Sequence, residues 1–248
     1  MVKKIVIVGG TSAIAEYCAR SWVSESPVEL VLLGRDRVKT DLVAQDLRVR
    51  NPQVVISVEA IDFLDPVRVG EWVNTVVSKG KPDIVLIAHG TLPDQKACQK
   101  ELVMNQQAML VNGLSPVLFA EAFAGHMQQA NHGTLAIIGS VAGDRGRKSN
   151  YVYGAAKGLV SRYTQGLQHR FAATAVKVIL IKPGPTNTPM TADLKDIGVK
   201  LADVAVVSKA IVDGIRKGTP TIYAPARWAL IMMVIRHLPK SVFNKMDI

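Results

Sequence analysis

Short, strongly apolar runs recur along the chain and alternate with segments long enough to form helices. The apolar runs lie at residues 5–8, 30–33, 54–58, 84–88, 135–138 and 176–181, and the intervening helical segments include 14–24, 37–49, 67–78, 102–129 and 153–171. Strands that are hydrophobic throughout are typical of a parallel sheet covered on both faces. The pattern therefore predicts a doubly wound α/β fold, with ligands gathering beyond the carboxyl ends of the strands.

Length and composition agree with one large α/β domain. The chain has 248 residues, of which 48% are hydrophobic, and its mean hydropathy is +0.20, so a substantial core can form. We expect one domain over residues 1–225, followed by a basic amphipathic tail over residues 226–248. Residues 185–202, which contain prolines, threonines and a glycine, predict a mobile loop.

The cysteines and the N-terminal segment indicate the cellular compartment in which the protein is expected. Cys18 and Cys98 show neither disulfide pairing nor metal-ligand spacing, which suits a reducing cytoplasm. The basic start MVKKIVIVGG has an apolar run too short for a signal peptide, and no stretch reaches the roughly 18 uninterrupted apolar residues of a membrane span. We expect a cytoplasmic protein.

The net charge of +10 suggests an anionic partner. Residues 216–248 contain six lysines and arginines and one acid, so about half of the excess lies near the C-terminus. There the sequence RWALIMMVIRHLPKSVF brackets an apolar run with basic residues, which fits a helix on an anionic membrane surface. A terminal helix docked on the core or on a second subunit explains the pattern equally well. Without a zinc, helix-turn-helix or RNA-binding signature, no nucleic-acid partner is expected.

The first strand ends in the glycine-containing sequence VGGTSAIAEY. Glycines between a first strand and its helix let the backbone approach a pyrophosphate, and the helix N-terminus supplies amide donors. Gly9 begins this pattern, whereas Ala13 and Ala15 occupy later positions where a stricter G-x-x-x-G-x-G has glycine. The motif is weakened but present, and such turns also serve as simple connections.

The second strand ends in LLGRDR, where the residue type indicates which dinucleotide is bound. An acid at the strand end would bind the ribose 2′-hydroxyl and repel a 2′-phosphate, but this position is Gly34, followed by Arg35. A guanidinium can bind a phosphate in bidentate fashion. The sequence therefore favours NADP(H) over NAD(H), although Asp36 would reverse the preference if the strand ended one residue later.

The third and fourth strands end in further candidate cofactor contacts. Asp62 could accept a hydrogen bond from the adenine amino group, or it could cap the helix that begins near Pro66. Gly90, after the fourth strand, allows close backbone approach, and His89 is interpreted as a wall residue rather than a catalyst. The five histidines show no metal-ligand spacing, so no metal is expected.

The sequence YVYGAAK contains the candidate catalytic pair. Tyr153 and Lys157, four residues apart, share one face of a helix, whereas Tyr151 points elsewhere. An ammonium beside a phenol lowers the phenol's pKa from about 10 and produces a proton donor and acceptor for a carbonyl/alcohol pair. Ser140, at the end of the fifth strand, could face the same cleft. Taken alone, the spacing also fits a surface Tyr/Lys pair.

After the sixth strand, the sequence KPGPTNTPM supplies a rigid Pro-Gly turn. Thr186 and Thr188 are available there to hydrogen-bond a cofactor amide.

Together these segments resemble the short-chain dehydrogenase/reductase family over nearly the whole chain. The resemblance rests on Gly9 and its loop, Asp62, Asn112, Ser140, Tyr153 with Lys157, and Pro183-Gly184 with Thr188, in order and at family-like spacing. It implies a Rossmann-like fold, reduction of a ketone to an alcohol with NADP(H) or NAD(H), and assembly into a dimer or tetramer.

By this resemblance Tyr153 is the acid/base, and Lys157 both lowers its pKa and binds the nicotinamide ribose. Ser140 would hold the substrate oxygen and Asn112 a proton-relay water, while Thr188 would bind the carboxamide. The implied cofactor-binding residues are Gly9, Thr11, Ser12, Ala13, Ile14, Arg35, Asp62, Phe63, Ala88, Gly90, Tyr153, Lys157, Pro183, Gly184, Thr186 and Thr188. The loop alanines, and AHG at residues 88–90 in place of Asn-Ala-Gly, depart from the family pattern.

A narrower resemblance is to the decaprenylphosphoryl-2-keto-ribose reductases. It rests on GGTSAIA, on SVAGDRGRKSNYVYGAAK and on the tail YAPARWALIMMVIRHLPKSVF. It implies a lipid-linked keto-sugar substrate and a protein peripheral to the inner face of the membrane. Arg145, Arg147 and Lys148, between the serine and the tyrosine, could meet a substrate phosphate, and a solvated basic loop is the alternative.

Two other functions remain open from the sequence. The same catalytic residues could act on a small soluble ketone or on a carrier-bound 3-oxoacyl group. A dinucleotide-sensing protein without turnover is the more remote alternative, because a sensor has no need of a matched acid and its activating ammonium.

Overall fold

A parallel sheet forms the centre of the protein, whose computed structural model describes residues 2–196 and 198–246; Ile197 of the predicted loop and the last two tail residues lie outside this range. The strands are β1 (Lys3–Val8), β2 (Val28–Gly34), β3 (Val55–Ala60), β4 (Ile84–Ile87), β5 (Thr134–Ile138), β6 (Lys177–Pro183) and β7 (Thr221–Ala224). They pair in parallel in the order β3-β2-β1-β4-β5-β6-β7. The order reverses between β1 and β4, so a crevice opens beyond their carboxyl ends.

Helices cover both faces of this sheet, as the sequence pattern predicts. The described α-helices are α1 (Ala13–Glu25), α2 (Arg37–Arg50), α3 (Pro66–Ser78), α4 (Gln95–Lys100), α5 (Leu102–Met109), α6 (Ser115–Ala130), α7 (Tyr151–Arg170), α8 (Ala192–Asp196), α9 (Val204–Lys217), α10 (Arg227–His237) and α11 (Lys240–Phe243). Side chains alternate along β1: Ile5 and Ile7 pack with α1, α2 and α9, and Val6 and Val8 pack with α3, α6 and α7. The predicted doubly wound α/β fold is confirmed.

The predicted helix over residues 102–129 is interrupted. Between α5 and α6 the backbone forms a π-helical turn at Leu110–Leu114, a feature that frequently marks functional sites. By length and composition, Leu102–Ala130 could cross a membrane, but 61% of its most apolar stretch is buried in the fold. Phe119 and Phe123, for example, are fully buried, as expected for a core helix.

Two further segments differ from the sequence prediction. The seventh strand was not predicted, because Thr221–Ala224 is only four residues long and alternates in burial. The predicted loop 185–202 contains a 3₁₀ turn at Pro189–Thr191 and the short helix α8. Its ends are joined where the amide of Ala202 donates to the Pro185 carbonyl at 2.8 Å.

Candidate active site

The turn after β1 is built so that only glycine fits at its first position. Gly9 has a φ of +89°, and a Cβ there would lie 2.7 Å from the backbone nitrogen of His89. The amides of Gly9 and Gly10 both donate to the Leu33 carbonyl, at 2.8 and 2.9 Å. The chain therefore passes tightly between β2 and β4 before α1 begins at Ala13. Ala13, which stands where the stricter motif has glycine, is accommodated as the first residue of α1.

A cavity of about 470 Å³ runs along the carboxyl ends of the first four strands. Residues of the predicted cofactor set that line it are Gly9, Thr11, Ser12, Ala13, Ile14, Arg35, Asp62, Phe63, Gly90 and Thr188. Leu64, Gln107, Val111, Ser115 and Met190 also line it and were not predicted. They carry no sequence signal of their own, since they come from helices and loops that only the fold brings to this edge.

The end of β2 favours Arg35, rather than Asp36, as the residue that faces the cofactor site. β2 ends at Gly34, and a Cβ at this position would overlap the Thr40 hydroxyl, so an acid here would have to displace the Thr40 side chain. Arg35 lines the cavity. Asp36 is instead the N-cap of α2, where its carboxylate accepts from the Lys39 amide at 3.1 Å. The acid that complicated the sequence prediction therefore has a structural role.

Asp62 lies in the cavity wall and does not cap a helix. Asp65 is the N-cap of α3, and its carboxylate accepts from the amides of Val67 and Arg68. Asp62 accepts from the Leu64 amide at 2.9 Å. Of the two roles that the sequence left open for Asp62, the helix cap is therefore excluded.

His89 is a half-buried, neutral wall residue. Its Nε2 lies 2.9 Å from the Ser115 hydroxyl, which itself donates to the Phe63 carbonyl at 2.8 Å. Burial, with the nearby positive charges of Lys157 and Arg35, lowers the pKa of His89 from 6.5 to about 3. The imidazole therefore stays uncharged near neutral pH, which fits a wall residue rather than an acid/base.

Asn112 lies on the π-helical turn and holds the loop after β4. Its side-chain oxygen accepts from the Thr91 amide at 2.8 Å, and its Nδ2 donates to the Ala108 carbonyl at 3.0 Å. A Cβ at Gly90 would lie 2.9 Å from that oxygen, so Gly90 is the residue that fits. Asn112 is fully buried and stands directly behind the cavity wall.

The three predicted catalytic side chains converge on a second cavity, of about 140 Å³, which adjoins the first. Ser140 follows β5 and caps the 3₁₀ turn Val141–Asp144, where its hydroxyl accepts from the Ala142 amide at 3.1 Å. Tyr153 lies on α7 and hydrogen-bonds Ser140. Lys157, one turn later, lies in the same wall, whereas Tyr151 is exposed, as its position on the helix predicts.

Burial shifts the pKa values of Tyr153 and Lys157 toward their uncharged forms. It raises the pKa of Tyr153, an effect only partly offset by the hydrogen bond from Ser140, and it lowers the pKa of Lys157 from 10.5 to about 8. The predicted net lowering of the Tyr153 pKa is therefore wrong for this structure, where the net shift is upward. The ammonium donates to the Ile138 carbonyl at 3.1 Å and lies 5.9 Å from the phenol ring centroid, so desolvation dominates.

The Pro-Gly turn after β6 closes the second cavity. Residues of the predicted cofactor set that line it are Ser12, Ile14, Ala88, Gly90, Tyr153, Lys157, Pro183, Gly184, Thr186 and Thr188. Each threonine hydroxyl already has one partner in this conformation, and its oxygen can still accept a hydrogen bond from a cofactor amide. The Thr186 hydroxyl donates to the Gly184 carbonyl at 2.8 Å, and the Thr188 hydroxyl lies 3.2 Å from that of Thr191.

The predicted basic trio does not act as one group. Arg145 reaches away from the cleft: it donates to the carbonyls of Ile235 and Leu238, and its guanidinium stacks 3.7 Å over the Phe243 ring centroid. It is therefore a contact to the tail rather than to a substrate, because the tail folds back over this loop. Arg147 lines the second cavity. Lys148 is exposed and does not line it.

A buried charged group beneath the catalytic loop was not predicted. Asp144 pairs with Lys182 of β6 and accepts from the Tyr223 hydroxyl at 2.9 Å, and the lysine is only 3% exposed. The sequence signal was a lysine at the end of an otherwise apolar strand, ILIKPG. Such a lysine requires a buried partner, but its identity depends on tertiary structure.

The C-terminal helix packs against the cleft from outside. Trp228 lies flush on Gly184, where a Cβ would overlap the indole, and Met232 is fully buried. The predicted tail 226–248 is therefore packed on the same domain over its described part. This was one of the two arrangements that the sequence left open.

The donor set along the two cavities fits a dinucleotide. The N-terminus of α1 supplies backbone amides next to the glycine turn, Arg35 supplies a guanidinium and Asp62 a carboxylate. Gly9 and Gly90 leave space that a Cβ would fill. The first cavity opens onto the second, where Ser140, Tyr153 and Lys157 lie.

Comparison with known proteins agrees with this geometry. The family model described as short chain dehydrogenase matches residues 3–197. An uncharacterized oxidoreductase of Streptomyces coelicolor is 26% identical over 244 residues, covering 98% of this chain and 96% of the relative.

Solved structures share the fold at lower sequence identity. A short-chain dehydrogenase from Sphingobium yanoikuyae in complex with NADPH superposes with a TM-score of 0.82 and 21% identity, covering 99% of this chain and 97% of the other. A bulky-bulky ketone specific alcohol dehydrogenase from Comamonas testosteroni superposes with a TM-score of 0.80 and 21% identity, covering 99% and 95% of the two chains.

Proposed function

Because the chain belongs to the short-chain dehydrogenase family and is an NAD(P)-dependent oxidoreductase, we propose that it reduces a ketone to an alcohol with NADP(H). We further propose that the ketone is a keto-sugar carried on a polyprenyl phosphate. The observation that carries the chemistry is the convergence of Ser140, Tyr153 and Lys157 on a cavity that adjoins the dinucleotide-sized cleft.

The proposed reduction needs a proton at the ketone oxygen as that oxygen gains negative charge. Burial keeps Tyr153 protonated at neutral pH, so its hydroxyl can donate to the oxygen, and Ser140 can hydrogen-bond the same atom. Lys157, with a pKa of about 8, is mostly charged at neutral pH and stabilises the tyrosinate that proton donation leaves. When bound, NADPH supplies the hydride.

The preference for NADP(H) rests on the end of β2. Arg35 faces the cavity, Thr40 fills the space that a strand-end acid would need, and Asp36 is engaged as a helix cap. A guanidinium in this position favours a 2′-phosphate through bidentate, charge-assisted hydrogen bonds. The Sphingobium yanoikuyae structure, described as a complex with NADPH, supports the same choice.

The lipid-linked substrate is supported by the surface of α10. Trp228 and Met232 pack inward, whereas Leu230, Met233 and Val234 are 63%, 49% and 52% exposed. We call these three residues the outer face of α10. Basic residues flank them, at Arg227 and Arg236 within the helix and at Lys240 and Lys245 beyond it.

An apolar helix face with basic residues at its ends complements an anionic lipid surface. We propose that the outer face of α10 lies on such a surface at the cytoplasmic side of the membrane, which places the catalytic cleft beside a lipid-borne substrate. The two buried free cysteines are consistent with a reducing compartment.

The proposed self-association uses another surface. On α5, Leu102 and Val103 are 81% and 77% exposed, and Tyr151 and Tyr163 on α7 are exposed as well. We propose that this apolar surface of α5 and α7 pairs with a second copy in a dimer or tetramer. In sedimentation velocity, Val103→Glu should lower the mass toward that of a monomer, while Val49→Glu, at a comparably exposed position on α2, should not.

Two alternatives keep the site but change the function. A small soluble ketone or carrier-bound 3-oxoacyl substrate needs no lipid surface, and the Comamonas testosteroni alcohol dehydrogenase is described as specific for bulky-bulky ketones. A non-catalytic dinucleotide sensor would not need Tyr153 and Lys157 in one cavity wall. Purified protein that binds NADPH but oxidises it with none of a broad carbonyl panel would favour the sensor.

The catalytic role is tested with Tyr153→Phe. Removing one hydroxyl should lower kcat by about a thousandfold, since it removes the proton donor, while NADPH binding measured by fluorescence titration should stay within about twofold. Tyr163→Phe, at an exposed tyrosine of the same helix, is the matched control and should keep full activity. Comparable turnover by Tyr153→Phe would exclude this tyrosine as the acid.

The lipid surface is tested by cosedimentation with vesicles. Wild-type protein should pellet with phosphatidylglycerol vesicles and much less with pure phosphatidylcholine, and the double variant Leu230→Glu/Val234→Glu should remain in solution. Val49→Glu controls for an added surface charge. If the outer face of α10 serves a second copy instead, the double variant will lower the solution mass and vesicle binding will be absent in every protein.

A lipid-linked substrate is tested separately by native mass spectrometry with NADPH and a crude lipid extract. A retained polyprenyl phosphate species is expected, and retention of a water-soluble ketone in its place would favour the soluble alternative.

A further inference from the structure

One guanidinium in the catalytic cleft forms no salt bridge with any described residue. Arg147 lines the same cavity as Ser140, Tyr153 and Lys157, because the 3₁₀ turn that begins after Ser140 brings the chain back across the cleft before α7. It lies three residues before the end of this connection, at Asn150. The side chain is only partly accessible.

The contacts of Arg147 are weak for a charged group. Its Nη2 lies 3.9 Å from the Met232 sulfur, and its buried Nε has no hydrogen-bond partner among the described residues. Asp144 is the nearby negative charge that acts on it, but that carboxylate is already paired with Lys182 and hydrogen-bonded by Tyr223. Burial lowers the pKa of Arg147, with desolvation as the main cause. A desolvated cation is costly unless an anion joins it.

Arg145, in the same loop, has the hydrogen-bond and stacking partners that Arg147 lacks among the described residues. It donates to two carbonyls at the end of α10 and stacks on Phe243. Two residues later, Arg147 points its charge into the cavity wall without such partners. The loop therefore contains one arginine that holds the tail and one that is available to a ligand.

A second polar atom in the same wall is also unpartnered. The side-chain oxygen of Asn150, which lines the cavity with Arg147, is buried without a hydrogen-bond partner among the described residues. A guanidinium donates hydrogen bonds to an anion, and an amide oxygen accepts a hydrogen bond from a hydroxyl group. A ligand that satisfies both carries a negative group and hydroxyl groups.

We propose that Arg147 is a specificity-determining residue that binds a phosphate group of the substrate, with Asn150 accepting a hydrogen bond from one of its hydroxyls. The substrate class is then a phosphorylated polyhydroxy ketone. This inference rests on the proposed reductase function and assigns recognition of the substrate phosphate to one residue. The phosphate could belong to a free sugar phosphate or to a lipid-linked phosphodiester, and the two sources share the same recognition chemistry.

The test measures binding rather than turnover. Isothermal titration calorimetry on the NADP⁺-loaded protein compares three probes: ribose, ribose 5-phosphate and a short-chain isoprenyl-phosphoryl ribose. At least one phosphorylated probe should bind wild-type protein at least tenfold more tightly than ribose, and whichever binds more tightly identifies the source of the phosphate. Equal affinity for all three would overturn the proposal.

Variants assign the effect to the residue. Arg147→Gln should reduce the affinity for the phosphorylated probe at least tenfold, and Arg147→Lys, which keeps the charge but loses the planar fork, should recover part of it. Arg162→Gln, at an exposed arginine of α7, is the control and should bind like wild type. Unchanged binding in Arg147→Gln, with its thermal unfolding midpoint preserved, would overturn the assignment.

The two proposals can fail separately. Turnover of neutral ketones without Arg147-dependent phosphate binding would leave the reductase and remove the anion site. Phosphate binding that depends on Arg147, in a protein that reduces no ketone, would leave the anion site and remove the reductase function.

Discussion

Charged residues beside the two cavities of the catalytic cleft are used in different ways. Around the first cavity the charges of Arg35 and Asp62 face the open cleft, and the surrounding wall is largely backbone and small side chains. Around the second cavity, Asp144, Lys182 and Arg145 bind one another or the tail. The first region is formed by the tips of adjacent strands, and the second depends on contacts between distant segments, such as Arg145 to Leu238, 93 positions apart.

This difference indicates which property of each region should change when one of its residues is substituted. A charged side chain that faces the first cavity, such as that of Arg35, can be changed without disturbing the sheet, so its loss should appear in cofactor affinity. A charged residue beneath the second cavity supports the loop that carries Ser140 and Arg147. Its loss should appear first in stability, and only then in catalysis.

The largest expected effect is on stability, from Asp144→Asn. The change leaves the Lys182 ammonium buried without its counter-charge, which should lower the free energy of unfolding by about 3 to 5 kcal/mol. Urea unfolding followed by tryptophan fluorescence measures it. Asp213→Asn removes an acid that pairs with Lys209 at the surface and should change the free energy of unfolding little, because solvent screens exposed ion pairs. Similar losses in both variants would mean that the buried pair has no special structural role.

The next effect is on cofactor choice, from Arg35→Gln at the first cavity. Losing a charge-assisted contact to the 2′-phosphate should raise the KM for NADPH by about tenfold to a hundredfold. The KM for NADH should change little, because NADH has no phosphate at that position, and unfolding stability should be preserved. Arg37→Gln, on the exposed side of α2, is the control. An equal loss for both cofactors would argue against recognition of the 2′-phosphate.

The first region could be predicted from sequence because its signals are local. A glycine after a buried strand, as at Gly9, or an arginine after the next one, as at Arg35, lies within a few residues of the element that positions it. Parallel strands then bring these positions to one edge of the sheet. The pairing of Tyr153 with Lys157 is local in the same sense, since one helix turn fixes it.

The second region could be predicted only in part. The sequence identified Arg145, Arg147 and Lys148 as a group, because all three lie in one short loop. Their separation into a tail contact, a cavity residue and an exposed side chain depends on where α10 packs. The pKa of Tyr153 was predicted in the wrong direction for the same reason: spacing shows which groups are neighbours, but not how deeply they are buried.

The pH dependence of the reaction tests whether burial lowers the pKa of Lys157 to about 8. Below about pH 8 Lys157 is charged and Tyr153 is protonated, so kcat/KM for ketone reduction should be flat there. As the pH rises through about 8, the lysine loses its charge and kcat/KM should fall, by up to about tenfold per pH unit. Lys157→Arg should have a lower plateau without this decline, because the guanidinium stays charged. A decline below pH 7 would contradict the assignment.

The smallest expected effect comes from Arg145→Met, which tests whether the tail belongs to the second region. Losing the hydrogen bonds from this guanidinium to the carbonyls of Ile235 and Leu238 should destabilise the tail locally by about 1 to 2 kcal/mol. Hydrogen exchange should then become about five- to thirtyfold faster within α10 and α11, with little change at the Gly9 turn. Arg236→Met, at an exposed arginine of α10, is the control.

The pattern of exchange decides how the tail is held. Trp228 against Gly184 and the buried Met232 anchor the first half of α10 by apolar contact, which does not depend on Arg145. If the arginine contributes, protection should therefore fall mainly in the second half of α10 and in α11, and the loop 140–150 should exchange faster with it. Faster exchange in the tail alone would mean that the arginine holds the helix without supporting the catalytic loop, and unchanged exchange would leave the apolar contacts as the sole attachment among the described residues.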